Sequence, residues 1–299
     1  IYTCIFFLLY YYINIRRESS GIRRSRVVVE YIMKTTISLN PKQQDLLELI
    51  AKYRFITIAN VQTFYCLKSR GGVHEKLSVL VKSGHLAFRY DRDYKFRYRA
   101  GSYYLTPKGL RAIQDSTSFI TDATIRGAYA DKNASEQLLD ASNIVFEMVQ
   151  NLTRLYPGMK AFTPRQLSGF DYFPKPLPDL YLAHIKDDET NRYFLYHLRD
   201  GKRYDVAVNA RARQLIAYVE SNQYAESGND FPIVLFVCDT PAIERLAGRL
   251  TRSLLNKSYE SMSVYTTSNG ALLQQQTSDE AIWSSLETPD ELIALEQAR

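Results

Sequence analysis

The chain has 299 residues, 45% of them hydrophobic, 13% aromatic and 23% charged, with a net charge of +6. That length holds one large or two ordinary domains, each able to bury a core, and the composition is globular rather than disordered or collagen-like. Cys4, Cys66 and Cys238 lie far apart with no Cys-x-x-Cys spacing, so the chain offers neither a disulfide framework nor a zinc site, and this usage fits a reducing, cytoplasmic setting.

Residues 1–32 join an apolar, aromatic run, Ile1–Ile13, to five arginines and two glutamates. The run is short for a bilayer span, and its basic residues follow rather than precede it, the reverse of a secretory signal. Met33-Lys-Thr-Thr-Ile-Ser-Leu-Asn-Pro41 reads as the natural opening of a domain. Residues 1–32 are therefore expected to be an apolar leader, either non-native upstream sequence or a membrane-proximal segment. No later run is long or apolar enough to cross a membrane.

The spacing of Leu46, Leu47, Leu49 and Ile50 predicts a helix over Pro41–Tyr53, with Asn40 as N-cap. A second short helix is expected over Ile58–Leu67 and a third over Gly71–Ser83, stopped by Gly84. From Leu86 to Leu105 aromatics and arginines alternate, which predicts a two-stranded ribbon with one packed and one charged face. Helices followed by a basic hairpin have the layout of a winged helix-turn-helix. The charge distribution agrees. Residues 1–32 carry +3 and Leu86–Arg111 carries +5, which leaves −2 for the rest of the chain. A recognition helix reads base edges from near its start, so Arg70, His74 and Lys76 are the candidate base contacts. Arg89, Arg92, Lys95, Arg97 and Arg99 on the hairpin would meet phosphates or enter a minor groove. Tyr90, Tyr94, Tyr98, Tyr103 and Tyr104 are read as packing residues in preference to base-stacking ones. Winged helices also serve as protein–protein adaptors, and that alternative stands beside the DNA-binding one.

Beyond the hairpin, Thr106-Pro107 opens a further helix to Ile113, and 115–133 is a polar linker, in part helical. Ala134–Tyr156 carries a wide apolar stripe and is a helix ended by Pro157-Gly158. Asp179–Ile185 and Arg192–Leu198 read as a strand hairpin, Val206–Ser221 as a helix, and Phe231–Cys238 as a strand buried on both faces. Thr240–Lys257 is a helix and Met262–Thr266 a last strand. The expected fold class is thus α+β or α/β: a winged helix-turn-helix over 33–114, then an α/β domain over 134–270 that, through Pro178-Asp179 at the start of its first strand, resembles a degenerate restriction-endonuclease-like core. A partly helical tail over 271–299 ends the chain.

Pro178-Asp179, followed by a second strand about a dozen residues later, has the spacing of nucleases in which two carboxylates hold a divalent ion and a lysine positions water. Here the second carboxylate position falls on His197 and the next polar position on Arg199. If the domain cleaved DNA, Asp179, Glu136, Glu147 and Asp200 would be its catalytic carboxylates and Mg²⁺ its cofactor; otherwise no cofactor or metal site is expected. His184, alone on its strand, reads as structural. With four histidines in all, no His-rich metal site is available.

Phe55-Ile-Thr-Ile-Ala-Asn-Val61, Leu77–Leu86, Tyr103-Tyr-Leu-Thr-Pro-Lys-Gly109, Leu177-Pro-Asp179, Tyr193–Gly201 and Phe231–Val237 together resemble the replication-relaxation family of plasmid and mobile-element proteins. The resemblance spans about 39–260 and implies a winged helix joined to a nuclease-like domain of the PD-(D/E)XK type. It implies double-stranded DNA as partner, a role in plasmid replication, relaxation or mobilisation, and contacts with relaxase or replication proteins or a homodimer. The sequence departs from the family's pattern at His197 and Arg199, where acidic residues are usual, and at Ser135-Glu136, where a histidine is common. The function expected is therefore sequence-specific DNA binding. The alternatives are a metal-dependent endonuclease and a repressor of its own operon.

Overall fold

The computed structural model describes residues 39–186, 189–256 and 262–298; the leader expected over 1–32 lies outside them. Contacts group residues 44–299 into one unit. Its first lobe begins with α1 (Pro41–Tyr53), where Asn40 and Gln43 cap each other reciprocally, at 2.9 and 3.0 Å, and Leu46, Leu47, Leu49 and Ile50 are buried. A short strand β1 (Phe55–Ile56) leads to α2 (Ile58–Phe64), which opens on a Thr57–Asn60 capping box. Helix α3 (Arg70–Lys82) buries Val73, Leu77 and Leu80 and stops where Gly84 takes φ +77°. Strands β2 (Leu86–Arg89) and β3 (Ser102–Leu105) pair antiparallel, and β1 adds to the other edge of β3, giving the order β1-β3-β2.

The hairpin differs from expectation in its middle. Only four residues on each side form strand. Between them Arg92–Tyr94 makes a 3₁₀ turn, and the amides of Phe96 and Arg97 both donate to the Asp93 carbonyl at 3.1 Å. The alternation fails because Tyr94 turns inward. It is 1% exposed, and the Arg99 guanidinium lies 5.3 Å from its ring centroid. Of the tyrosines read as packing residues, Tyr94 and Tyr103 are buried and Tyr104 is half-buried, whereas Tyr90 and Tyr98 are exposed.

Helix α4 (Pro107–Ala112) has Thr106 as N-cap, its hydroxyl accepting from the Gly109 amide at 3.1 Å. A Cβ at Gly109 would stand 2.2 Å from the His85 carbonyl, so only glycine lets α4 close onto the start of β2. The connector holds α5 (Asp122–Gly127) and a 3₁₀ turn over Ala128–Asn133. Helix α6 (Glu136–Leu155), capped by Ser135, buries Leu139, Phe146, Met148, Val149, Leu152 and Leu155, and touches both β1 and β4 (Met159–Phe162).

The second lobe is a seven-stranded mixed sheet in the order β10-β9-β8-β7-β6-β5-β4. After β4 come α7 (Pro164–Leu167) and β5 (Leu180–Lys186), then β6 (Glu189–Leu198), which pairs antiparallel to β5 with Leu180 opposite Leu195. Helix α8 (Tyr204–Glu220), β7 (Ile233–Cys238), α9 (Pro241–Leu255) and β8 (Val264–Ser268) complete the parallel centre β6-β7-β8. Phe194, Tyr196, Val234 and Phe236 pack with Val208 and Leu215 of α8 and Ile243 and Ala247 of α9, as expected of strands lying under crossover helices. Residues read as a tail beyond 270 instead contribute α10 (Asn269–Gln274) and two strands, β9 (Trp283–Ser285) and β10 (Leu292–Ile293). Trp283, the chain's one tryptophan, is fully buried there. Among the described residues no helix is long and apolar enough to cross a membrane.

One ion cluster joins the lobes. Asp131 is 1% exposed and receives Arg54 through Nη2 at 2.7 Å and Nε at 2.9 Å, with Arg165 Nη2 at 3.3 Å on its other oxygen. Arg165 also donates to the Ala51 carbonyl at 3.1 Å, and the Thr163 hydroxyl to the Lys52 carbonyl at 2.9 Å. Arg54 holds φ 71°, a left-handed conformation that a non-glycine residue keeps only when its surroundings impose it. Removing one partner from a buried ionic cluster strands the others. Asp131→Ala should therefore cost about 3–5 kcal/mol in urea unfolding of the full chain, and a loss under ~1 kcal/mol would show that the cluster does not hold the lobes.

Candidate nucleic-acid interface

Helix α3 presents opposite characters on its two sides. Val73, Leu77 and Leu80 face the core, while Arg70, His74 and Lys76 are all exposed, with Lys68 just before the helix and Lys82 in its last turn. Glu75 is the only acidic residue in α3. Arg70 Nε donates to Gln62 Oε1 at 3.2 Å, which ties it to α2, and His74 Nδ1 lies 3.5 Å from the Ser78 hydroxyl one turn on. Lys76 forms no ion pair among the described residues.

The five hairpin cations are not equivalent. Arg89 hydrogen-bonds the Ala134 carbonyl and lies 3.7 Å from Asp91. Arg99 bonds Glu136 Oε2 at 2.9 Å, the Glu136 carbonyl at 3.0 Å and the Asp140 carboxylate, all within the first five residues of α6, and its side chain is 19% exposed. Arg97 reaches the same Glu136 carboxylate at 3.4 Å but stays 60% exposed. Arg92 and Lys95 are exposed and form no ion pair among the described residues. Charge-assisted bonds thus consume Arg99 in fastening the hairpin to α6, and Arg89 in fastening it to Ala134, just before that helix. The cations still facing solvent are Arg92, Lys95 and, in part, Arg97.

The carboxylates of the second lobe form a different arrangement. Asp179, just before β5, accepts the His197 backbone amide on Oδ2 at 2.8 Å. His197 is buried at the end of β6, its Nε2 2.6 Å from Asp239 Oδ1, while its Nδ1 has no hydrogen-bond partner. Asp239 Oδ2 accepts the Asp200 amide at 2.9 Å, and Asp200 Oδ1 accepts that of Gly201 at 2.8 Å. Asp179 and Arg199 line a cavity of about 200 Å³ together with Lys52, Arg54 and Arg165. Burial pushes the Lys52 ammonium below its usual pKa. Glu136 is taken up by the hairpin arginines, and Glu147 stands on the exposed side of α6.

Of the four carboxylates singled out in the sequence, Asp179 and Asp200 are thus linked through His197 and Asp239, and Glu136 and Glu147 have other surroundings. Asp239 escaped the sequence reading, although it sits where a carboxylate reaches back over a sheet, between the buried β7 run and the Thr240 N-cap. Among the described residues no three His, Cys, Asp or Glu side chains converge closely enough to hold a metal ion. Mg²⁺ requires oxygen ligands, and the place of the second carboxylate is filled by an imidazole already bonded to Asp239. These residues do not fit Mg²⁺. His184 Nε2 lies 3.1 Å from the Pro157 carbonyl, a structural contact.

No family model matches the chain, and no curated protein matches it. Among solved structures, it is similar to a chain in a structure of the restriction endonuclease FokI bound to DNA, at 12% identity and a TM-score of 0.26, over 78% of this chain and 43% of that one.

His85 supplies a pH test of the first lobe. It is buried at the α3–β2 corner, with Nδ1 2.8 Å from the Ser83 hydroxyl and its carbonyl accepting the Thr106 amide at 3.1 Å. Desolvation, with Lys108 as a smaller cause, lowers its pKa below 6.5. A depressed folded-state value favours the neutral ring, so its stabilisation is complete above pH 6.5 and is lost as pH falls. The difference in urea midpoint between the native chain and His85→Asn should shrink between about pH 7 and pH 5. A difference independent of pH would contradict this.

Proposed function

We propose that this chain binds double-stranded DNA through a winged helix-turn-helix made of α1, α2, α3 and the β1-β3-β2 sheet. In this reading α3 lies in the major groove, where Arg70 and Lys76 read base edges and His74 lies alongside them. The turn between β2 and β3 sets Arg92 and Lys95 against phosphates, while Arg99 keeps the hairpin fixed to α6 and Arg89 to Ala134 just before it. The observation that carries the reading is the solvent face of α3. Three cationic or titratable side chains stand exposed there, backed by a buried apolar face that fixes their direction. The β-sheet lobe serves as scaffold and contact surface. The family resemblance supports a role in plasmid or mobile-element replication, relaxation or mobilisation, with relaxase or replication proteins as partners.

The test is duplex affinity as a function of salt. The account expects log K to fall linearly with log salt, and Arg92→Ala with Lys95→Ala to weaken all sequences alike while lowering the slope by about one per lost phosphate contact. Arg70→Ala should relax sequence preference instead, by about 1–3 kcal/mol at one base position. Arg99→Ala should act mainly on stability. Absence of salt-sensitive DNA binding would end the reading. Metal-dependent nicking of a supercoiled plasmid, abolished by Asp179→Ala, would replace it with an endonuclease.

A further inference from the structure

The turn between β2 and β3 carries two aromatic rings that the fold does not use. Phe96 is 81% exposed and Tyr98 is 99% exposed, and neither makes a ring contact among the described residues. Single exposed apolar side chains are ordinary, but aromatic rings gathered at one tip mark a contact surface. The turn itself is fixed. The amides of Phe96 and Arg97 donate to the Asp93 carbonyl, and the Arg99 amide donates to the Tyr94 carbonyl at 2.9 Å. Tyr94 is buried beneath it, and Arg99 anchors its far side to Glu136 and Asp140. Tyr98 stands in the left-handed region at φ 51°, a conformation that a non-glycine residue keeps only where the surrounding turn imposes it, and its ring lies in solvent. Behind the tip, Phe88 and Tyr90 lie nearly parallel, 8° apart with centroids at 6.2 Å, and both are exposed by almost half. A Cβ at Gly101 would come within 2.4 Å of the Phe88 ring, so a glycine is needed for that ring to lie flat on the hairpin.

We propose that this turn is an aromatic wedge, in which Phe96 and Tyr98 enter a base step and stack on the nucleobases. The inference rests on the DNA-binding reading above and adds a mode of contact to it. Three features favour nucleobases over a lipid surface or a protein groove. The rings project from a rigid turn on the same lobe as the basic face of α3. The solvent-facing cations Arg92 and Lys95 share their segment, so phosphates flanking an opened step meet positive charge. The exposed apolar area at the tip is two rings, the scale of an intercalating wedge and small for a membrane anchor. A flat ring needs a flat partner at the end of a narrow protrusion, and an unstacked base provides one.

The test uses the full chain with Phe96→Ala, Tyr98→Ala and the double variant, and Tyr98→Phe as the ring-preserving control. Both side chains lie in solvent, so unchanged thermal unfolding will show that the variants fold. The probes are a 30-base-pair duplex carrying 2-aminopurine at successive positions, and the matching single strand. The native chain should raise 2-aminopurine fluorescence at one or two steps of the duplex. Each alanine should abolish that rise and weaken affinity by about 10-fold, with the salt slope unchanged, because stacking releases no counterions. Tyr98→Phe should behave as native. A ring-dependent loss seen on the single strand and not on the duplex would assign the wedge to bases that are already unpaired. Alanine variants that bind both probes as the native chain does overturn the wedge and leave the DNA-binding reading in place. Failure of the native chain to bind either probe overturns both. Ring-dependent binding to phosphatidylserine vesicles, without a ring effect on DNA, would transfer the rings to a membrane.

Discussion

The organisation of this chain depends on a buried carboxylate. Asp131, in the connector, is held between Arg54 at the end of α1 and Arg165 on α7. An unpaired charge at that depth would be strongly unfavourable, so the three residues stay together or the region opens. Burial lowers the Arg165 pKa while Asp131 raises it, and the guanidinium remains the partner of the carboxylate. The left-handed backbone of Arg54 is a local consequence. The chain turns sharply there so that the guanidinium reaches Asp131 and β1 can start at Phe55, which is fully buried.

That constraint decides what the hairpin cations are free to do. With the lobes fixed at Asp131, the N-terminal end of α6 comes to lie beside the hairpin, and Glu136 and Asp140 take up Arg99 and part of Arg97. A helix N-terminus favours acidic residues, so Glu136, in the first turn, suits its own helix before any arginine arrives. The net positive charge counted along the hairpin is therefore partly internal. What remains outward is a smaller and more ordered set: the face of α3, Arg92, Lys95 and in part Arg97 on the turn, and the rings of Phe96 and Tyr98.

Much of the first lobe was legible because its signals are local. Asn40-Pro41, Thr106-Pro107 and Gly84 mark helix ends by mechanisms acting within a few residues, and the structure places α1, α3 and α4 within a residue or so of those marks. The parallel centre was legible through the unbroken apolar run of β7. The middle of the hairpin misled, because period-two alternation reports which side chains could share a face. It does not report whether a turn at Asp93 will draw Tyr94 inward. Strands β4, β9 and β10 have four, three and two residues, too short to show a period, although the burial of Trp283 is the kind of demand a lone tryptophan makes. The Arg54–Asp131–Arg165 cluster left no trace in the sequence. Its members are separated by 77 and 34 residues, and a contact across such distances has no local pattern. The His197–Asp239 pair was half legible: the histidine stood out as a departure from a motif, and its partner lay 42 residues away, just past the end of β7.

The central claim is that nucleic acid meets the face of α3 and the neighbouring turn, with the β-sheet lobe behind them. Amide hydrogen exchange of the full chain, with and without a saturating DNA duplex at low salt, tests it most directly. The account predicts slowed exchange over 68–82 and 91–99 and unchanged exchange over 179–201 and 233–240. Protection centred on Asp179, His197 and Asp239, with α3 unaffected, would contradict it.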